Sequence, residues 1–202
     1  TFPSLLANVT WLRDDYRSWW RAASSKDIGD VRILADEASH VLGRQPGELY
    51  DRVTLSWGWA DTKSANPRFE FDTPYFTYDS DLGGRIVSLD VVDLAGRSYE
   101  EKLLVATHEL IHAEDFLNIR NLDGPGEAIK WLKDATVSSY NWDEITTEYR
   151  ALKSVDEYLG GVSNDTIKES LAYIEDSFYR GIDSSLKPDY QTIIDDLRNM
   201  IN

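Results

Sequence analysis

Apolar positions recur at helical spacing near both ends of the chain and alternate in its middle. Leu5, Leu6, Val9, Leu12, Tyr16, Trp19 and Trp20 mark one face of a helix over about 3–24. A second helix is predicted from Asp27 to Leu42, stopped by Gly43. The period then falls to two. Val53, Leu55, Trp57 and Trp59 alternate with Thr54, Ser56, Gly58 and Ala60; Phe69 and Phe71 do the same, and Tyr75 to Tyr78 continues after Pro74. Arg85 to Val91 places Val87, Leu89 and Val91 on one side of a further strand. Aromatic residues at period two on short strands read as core rather than as a carbohydrate platform. Ser98 with Glu101 forms a capping-box signature, followed by the broad apolar face of Leu103, Leu104, Ala106, Thr107, Leu110, Ile111 and Ala113. Beyond Asp123–Gly126 the pattern is helical, over about 127–136, 143–159, 165–180 and 188–200, with Gly160, Gly161 and Gly181 as stops. The expectation is an α+β fold in one domain over 1–202. A lobe of N-terminal helices and sheet spans about 1–120, and a helical lobe spans about 121–202. The sheet is small, mostly antiparallel and packed on the helix that follows Ser98.

The 202 residues carry a net charge of −15, a surface that repels phosphate backbones and anionic lipid heads, so neither nucleic acid nor a membrane is an expected partner. No stretch approaches the roughly 18–20 apolar residues of a membrane-spanning helix. There are no cysteines, which excludes disulfides, thiolate ligands and a cysteine nucleophile. Any metal must then be held by His and carboxylate, a donor set that suits a catalytic site better than a structural one. The chain opens on Thr1 rather than Met, as a processed or excised portion would.

The helix after Ser98 carries the chemistry. His108-Glu109-Leu110-Ile111-His112 puts two imidazoles on one helical face, about one turn or 5.4 Å apart along the axis. From there both can reach one ion at about 2.0–2.1 Å. Glu109, immediately after the first His, is placed to take a proton from water rather than to ligate. Two of the three His of the chain lie here; the third, His40, falls on a polar face and reads as a surface residue. A chance alignment of two His on a solvated helix is the competing reading, and the line Val105, His108, His112, Asp115, Ile119, apolar at both ends, weighs against it.

The third ligand is expected to be Glu148. Ile145, Glu148, Leu152, Val155 and Leu159 form one seam of the helix over 143–159, in which Glu148 alone is charged. A buried carboxylate needs a cation beside it, and the metal supplies one; the alternative is a Glu148 at the seam's edge, paired with an Arg or Lys. Asp115 shares the His face but is short and a turn beyond His112, which fits support of a His better than ligation.

A sheet, a His-Glu-x-x-His helix and a helical lobe that supplies a glutamate resemble the zincin metallopeptidases of the glutamate-ligand branch. His108–Ala113 with Glu148-Tyr149-Arg150-Ala151 is similar to the compact metallopeptidase domains of bacterial secreted effectors and polymorphic toxins, over roughly 85–159. The resemblance implies zinc, a zincin-like fold, a protein or peptide substrate and a secreted or translocated protein, with a cytoplasmic one as the alternative. It also implies that Arg85–Val91, the strand before the metal helix, is the edge that pairs with substrate. Many relatives place an acidic residue four positions after the ligand, where it steadies the first His; with Glu148 as ligand that position is Leu152, a departure. The expected activity is peptide-bond hydrolysis by metal-activated water, with Glu109 as general base and an oxyanion donor from among Tyr140, Tyr149, Arg150 and Tyr158. The alternatives are a zinc protein without turnover, or an interaction or inhibitory domain with a chance motif.

Overall fold

The computed structural model describes residues 25–56, 75–79, 84–90, 97–133, 137–178 and 181–201. Helix α1 (Ser25–Val41) leads into strand β1 (Arg52–Ser56), followed by β2 (Tyr75–Asp79) and β3 (Gly84–Asp90). Then come α2 (Tyr99–Asp123), α3 (Pro125–Lys133), α4 (Val137–Leu159), α5 (Asn164–Phe178), a short 3-10 turn (Ser184–Leu186) and α6 (Lys187–Met200). The expected helix over 3–24, Trp57, Trp59, Phe69, Phe71 and Val91 lie outside the described residues.

The expected α+β class is corrected. The described residues are mostly helical, dominated by the 25 residues of α2 and the 23 of α4, against strands of five, five and seven residues. Nor is the sheet mostly antiparallel. Its order is β1-β3-β2, with β1 parallel to β3 and β2 antiparallel to it. The strand expected at the substrate edge, within Arg85–Val91, is therefore the central one. Both of its ladders are taken by neighbours, so it has no free edge to offer a peptide. A period-two pattern says that a strand exists and is silent on its neighbours.

The organising element is α2. Ser98 caps it, its hydroxyl accepting from the Glu101 amide at 3.2 Å while the Glu101 carboxylate accepts from the Ser98 amide. It ends at Gly124, whose φ of 93° favours glycine and lets Pro125 start α3 at once. Among the described residues no helix is long and apolar enough to cross a membrane.

Two cores flank α2. Leu103, Ala106, Leu110, Ala113 and Phe116 pack on Val31, Leu34, Ala35 and Ala38 of α1 and on Leu49 and Tyr50. On the other flank, Leu104 and Ile111 meet Ile145, Ala151 and Leu152 of α4, Ile167 and Ile174 of α5, and Ile194 and Leu197 of α6. A helix apolar over so much of its circumference must be covered nearly all round. Its remaining strip, carrying His108 and His112, faces α4.

Candidate metal centre

α4 begins at Val137, six residues before the expected start at Asp143, which brings Glu144 well inside the helix. Glu144 and Glu148 then stand one turn apart on the same face, and the His108 imidazole bonds to both. Its Nδ1 is 2.8 Å from Glu148 Oε2 and its Nε2 is 3.2 Å from Glu144 Oε2. His112 Nε2 lies 3.2 Å from Glu144 Oε1 and 3.2 Å from His108 Nε2.

The two Nε2 atoms stand 3.2 Å apart, and each lies 3.2 Å from its own oxygen of the Glu144 carboxylate, Oε2 for His108 and Oε1 for His112, a triangle of two ring nitrogens and one carboxylate group. Two ligands at about 2.0–2.1 Å from one tetrahedral ion stand roughly 3.3 Å apart, which is close to the spacing of the two Nε2 atoms, and an oxygen of Glu144 lies within 4.8 Å of both. His108, His112 and Glu144 could hold a metal ion. The carboxylate that completes the triangle is Glu144, one turn before the expected Glu148. Glu148 Oε2 instead faces Nδ1 of His108 at 2.8 Å, and a neutral ring that donates there keeps its Nε2 lone pair for a metal.

Charge accounting points the same way. Glu109, Glu144 and Glu148 are 6%, 7% and 8% exposed, so three carboxylates are buried together with two imidazoles. With both imidazoles neutral, Glu144 and Glu148 alone place two negative charges beside His108. A divalent cation offsets that charge without requiring protons. With no metal bound, protons compete for the same place. Burial by itself would lower the His108 pKa, but bonding to Glu144 and Glu148 outweighs it and holds the imidazolium well above its usual range. Burial likewise opposes the charged form of Glu144, yet the His108 and His112 rings hold its carboxylate far below the usual range. In the metal-free fold the protonated imidazole supplies the positive charge that these carboxylates face.

α5 closes the site with three hydroxyls, each on a carboxylate of α2 or α4. Thr166 donates to Glu100 Oε1 at 2.6 Å, Ser170 to Glu148 Oε1 at 2.6 Å and Tyr173 to Glu144 Oε2 at 3.4 Å. The Tyr173 ring meets His108 edge-on with centroids 6.3 Å apart, and the residue is 40% exposed. With Glu144 and Ser170, it is a residue that the sequence pattern does not mark. A single tyrosine on the polar side of a helix, 25 positions beyond Glu148, carries no local mark.

The other expected participants are engaged elsewhere. Asp115 accepts from Arg150 Nη1 at 2.7 Å and 3.0 Å instead of supporting a His. Arg150 also reaches Glu114, which Arg44 binds from the far side at 2.6 Å. Tyr149 donates to Asp196 of α6 at 2.7 Å. Tyr158 is exposed at the C-terminal end of α4, and the Tyr140 side chain lies outside the described residues. His40 is exposed on the last turn of α1.

Comparison of the chain with known protein families, with curated proteins and with solved structures finds no match.

Proposed function

We propose that this chain is a zinc-dependent peptidase of the glutamate-ligand kind, with His108, His112 and Glu144 as ligands and Glu109 as general base. The observation that carries the reading is the 3.2 Å triangle of buried ligand atoms on a helix whose next residue after the first His is a buried glutamate. The zincin resemblance fits Glu144 better than Glu148. With Glu144 as ligand, the acidic residue four positions on is Glu148, and it steadies the first His as that family's pattern asks. The departure at Leu152 disappears.

Zinc would supply a water of lowered pKa and a Lewis acid for the scissile carbonyl. Glu109 takes the proton of the attacking water and returns it to the leaving amine. Tyr173, half-exposed beside Glu144, donates its phenol proton in a hydrogen bond to the carbonyl oxygen as negative charge develops there. An extended peptide lies along β2, which packs against α2 and has one edge unpaired among the described residues.

The test is Glu109→Gln. The variant should take up zinc as the wild type does and lose hydrolysis of a denatured protein such as casein by about 10²–10⁴-fold. Undiminished cleavage by Glu109→Gln contradicts the assignment.

A further inference from the structure

Two glutamates one turn apart face the same imidazole from α4, and nothing on α4 itself explains why one is placed to ligate and the other is not. Both are buried, both lie within hydrogen-bond distance of His108, and both have the reach to approach an ion. The asymmetry comes from α5. Ser170, 2% exposed, donates its hydroxyl to Glu148 Oε1 at 2.6 Å, while Oε2 of the same carboxylate accepts from His108 Nδ1 at 2.8 Å. Both Glu148 oxygens are thereby occupied, and the carboxylate is pinned with its plane between α2 and α5. Glu144 has a different neighbour on α5. Tyr173 reaches it from 3.4 Å, a long contact made by a half-exposed side chain, and both of its oxygens look onto the imidazole Nε2 atoms.

We infer that Ser170 is a positioning residue that commits Glu148 to His108 Nδ1 and so reserves the metal for Glu144. The inference rests on the proposed reading of the triangle as a metal site, and it adds a third helix to the machinery that shapes that site. The physics is that of partners behind a ligand. A hydrogen bond to the unligated nitrogen orients the ring and raises the basicity of the ligating one, and that bond is only as firm as the group that accepts it. A carboxylate held by one partner can rotate about its last side-chain torsion; held at both oxygens, it cannot. Thr166, one turn before Ser170, anchors α5 to Glu100 at the start of α2. The Ser170 hydroxyl therefore works from a helix already docked against the metal helix.

The experiment compares Ser170→Ala and the isosteric pair Ser170→Thr and Ser170→Val. It measures zinc affinity by competition with a chromophoric chelator, and solvent exchange of the His108 Nδ1–H by nitrogen-15 NMR on metal-free protein. Thr and Val fill the same space and differ in the hydroxyl, so the pair separates hydrogen bonding from packing. Ser170→Ala should weaken zinc about 10-fold, and Thr should bind about 10-fold more tightly than Val. The His108 Nδ1–H should exchange faster in Ala and Val than in wild type and Thr. Equal zinc affinity and equal exchange for Thr and Val overturn the inference, as does a Ser170→Ala variant that matches wild type in both measurements. If the wild type takes up no zinc, the proposed function fails; the exchange comparison in metal-free protein still decides whether Ser170 holds the Glu148–His108 pair.

Discussion

The apolar flank of α2 that faces α1 and the strip of α2 that faces α4 hold opposite things. Towards α1 the helix presents Leu103, Ala106, Leu110, Ala113 and Phe116, all at 0–1% exposure, and packs them on apolar side chains of α1 and on Leu49 and Tyr50. On the strip that faces α4, between that core and the one shared with α4, α5 and α6, it presents His108 and His112, which meet Glu144 and Glu148. The first flank needs no explanation beyond the hydrophobic effect. The second costs free energy at every group unless something offsets the charge, and a chain able to build the first flank had no stability reason to build the second.

The comparison breaks most visibly on the apolar flank. Leu110→Ala removes a fully buried side chain and should cost about 2–5 kcal/mol of unfolding free energy. That loss, read from urea unfolding, should be the same with and without zinc. A loss that depended on zinc would mean the flanks are not separate.

On the charged flank the expected effect depends wholly on metal. Zinc at 100 times its Kd stabilises the native state by about 2.7 kcal/mol. In Glu144→Ala that increment should vanish at zinc concentrations that saturate the wild type. Glu148→Ala should keep part of it, since loss of a partner behind a ligand weakens affinity about 10–100-fold. Titration of both variants with zinc checks the order; a greater loss in Glu148→Ala would return the ligand to Glu148.

pH sharpens the contrast. The His108 pKa is raised in the metal-free fold, so the stability its imidazolium contributes is fully present below the unfolded value near 6.5 and lost as pH rises through the raised folded value. Zinc needs neutral imidazoles and gains affinity over the same range. Thermal unfolding should show the gap between zinc-loaded and zinc-free protein widening steadily above about pH 6.5. A gap that narrows with rising pH would contradict the site.

The smallest effect belongs to the rim. Arg150 is 41% exposed at its side chain and ties Asp115 and Glu114 across the surface of α2 and α4. Arg150→Ala should cost no more than about 1 kcal/mol and leave zinc affinity unchanged. A marked fall in zinc affinity would restore Asp115 as support for a His.

How much of this was legible follows from where each signal is stored. His108, Glu109 and His112 share one helix, and their spacing alone states their geometry. The choice between Glu144 and Glu148 is stored in the start of α4 and in a hydroxyl of α5, 22 residues beyond Glu148. The seam of Ile145, Glu148, Leu152, Val155 and Leu159 marks a buried carboxylate on α4, and a helix taken to start at Asp143 leaves Glu144 outside that seam. Strand patterning gave β1, β2 and β3, and could not say that β3 lies between the other two, because strand order is set by pairing between distant segments. The emphasis on an α+β fold came from the same source: alternation in residues 53–91 was given the weight of a lobe, where the described sheet is three short strands beside long helices. Tyr173 and Ser170 had no signal at all, since each matters only through what α5 packs against.

The central claim is that the charged flank holds a metal. The most direct measurement is zinc K-edge X-ray absorption on the chain dialysed against zinc near neutral pH. The account predicts about one zinc per chain, with two imidazole nitrogens at about 2.0–2.1 Å and carboxylate oxygen completing the protein ligands. A chain that takes up no zinc, or holds it without imidazole, contradicts it.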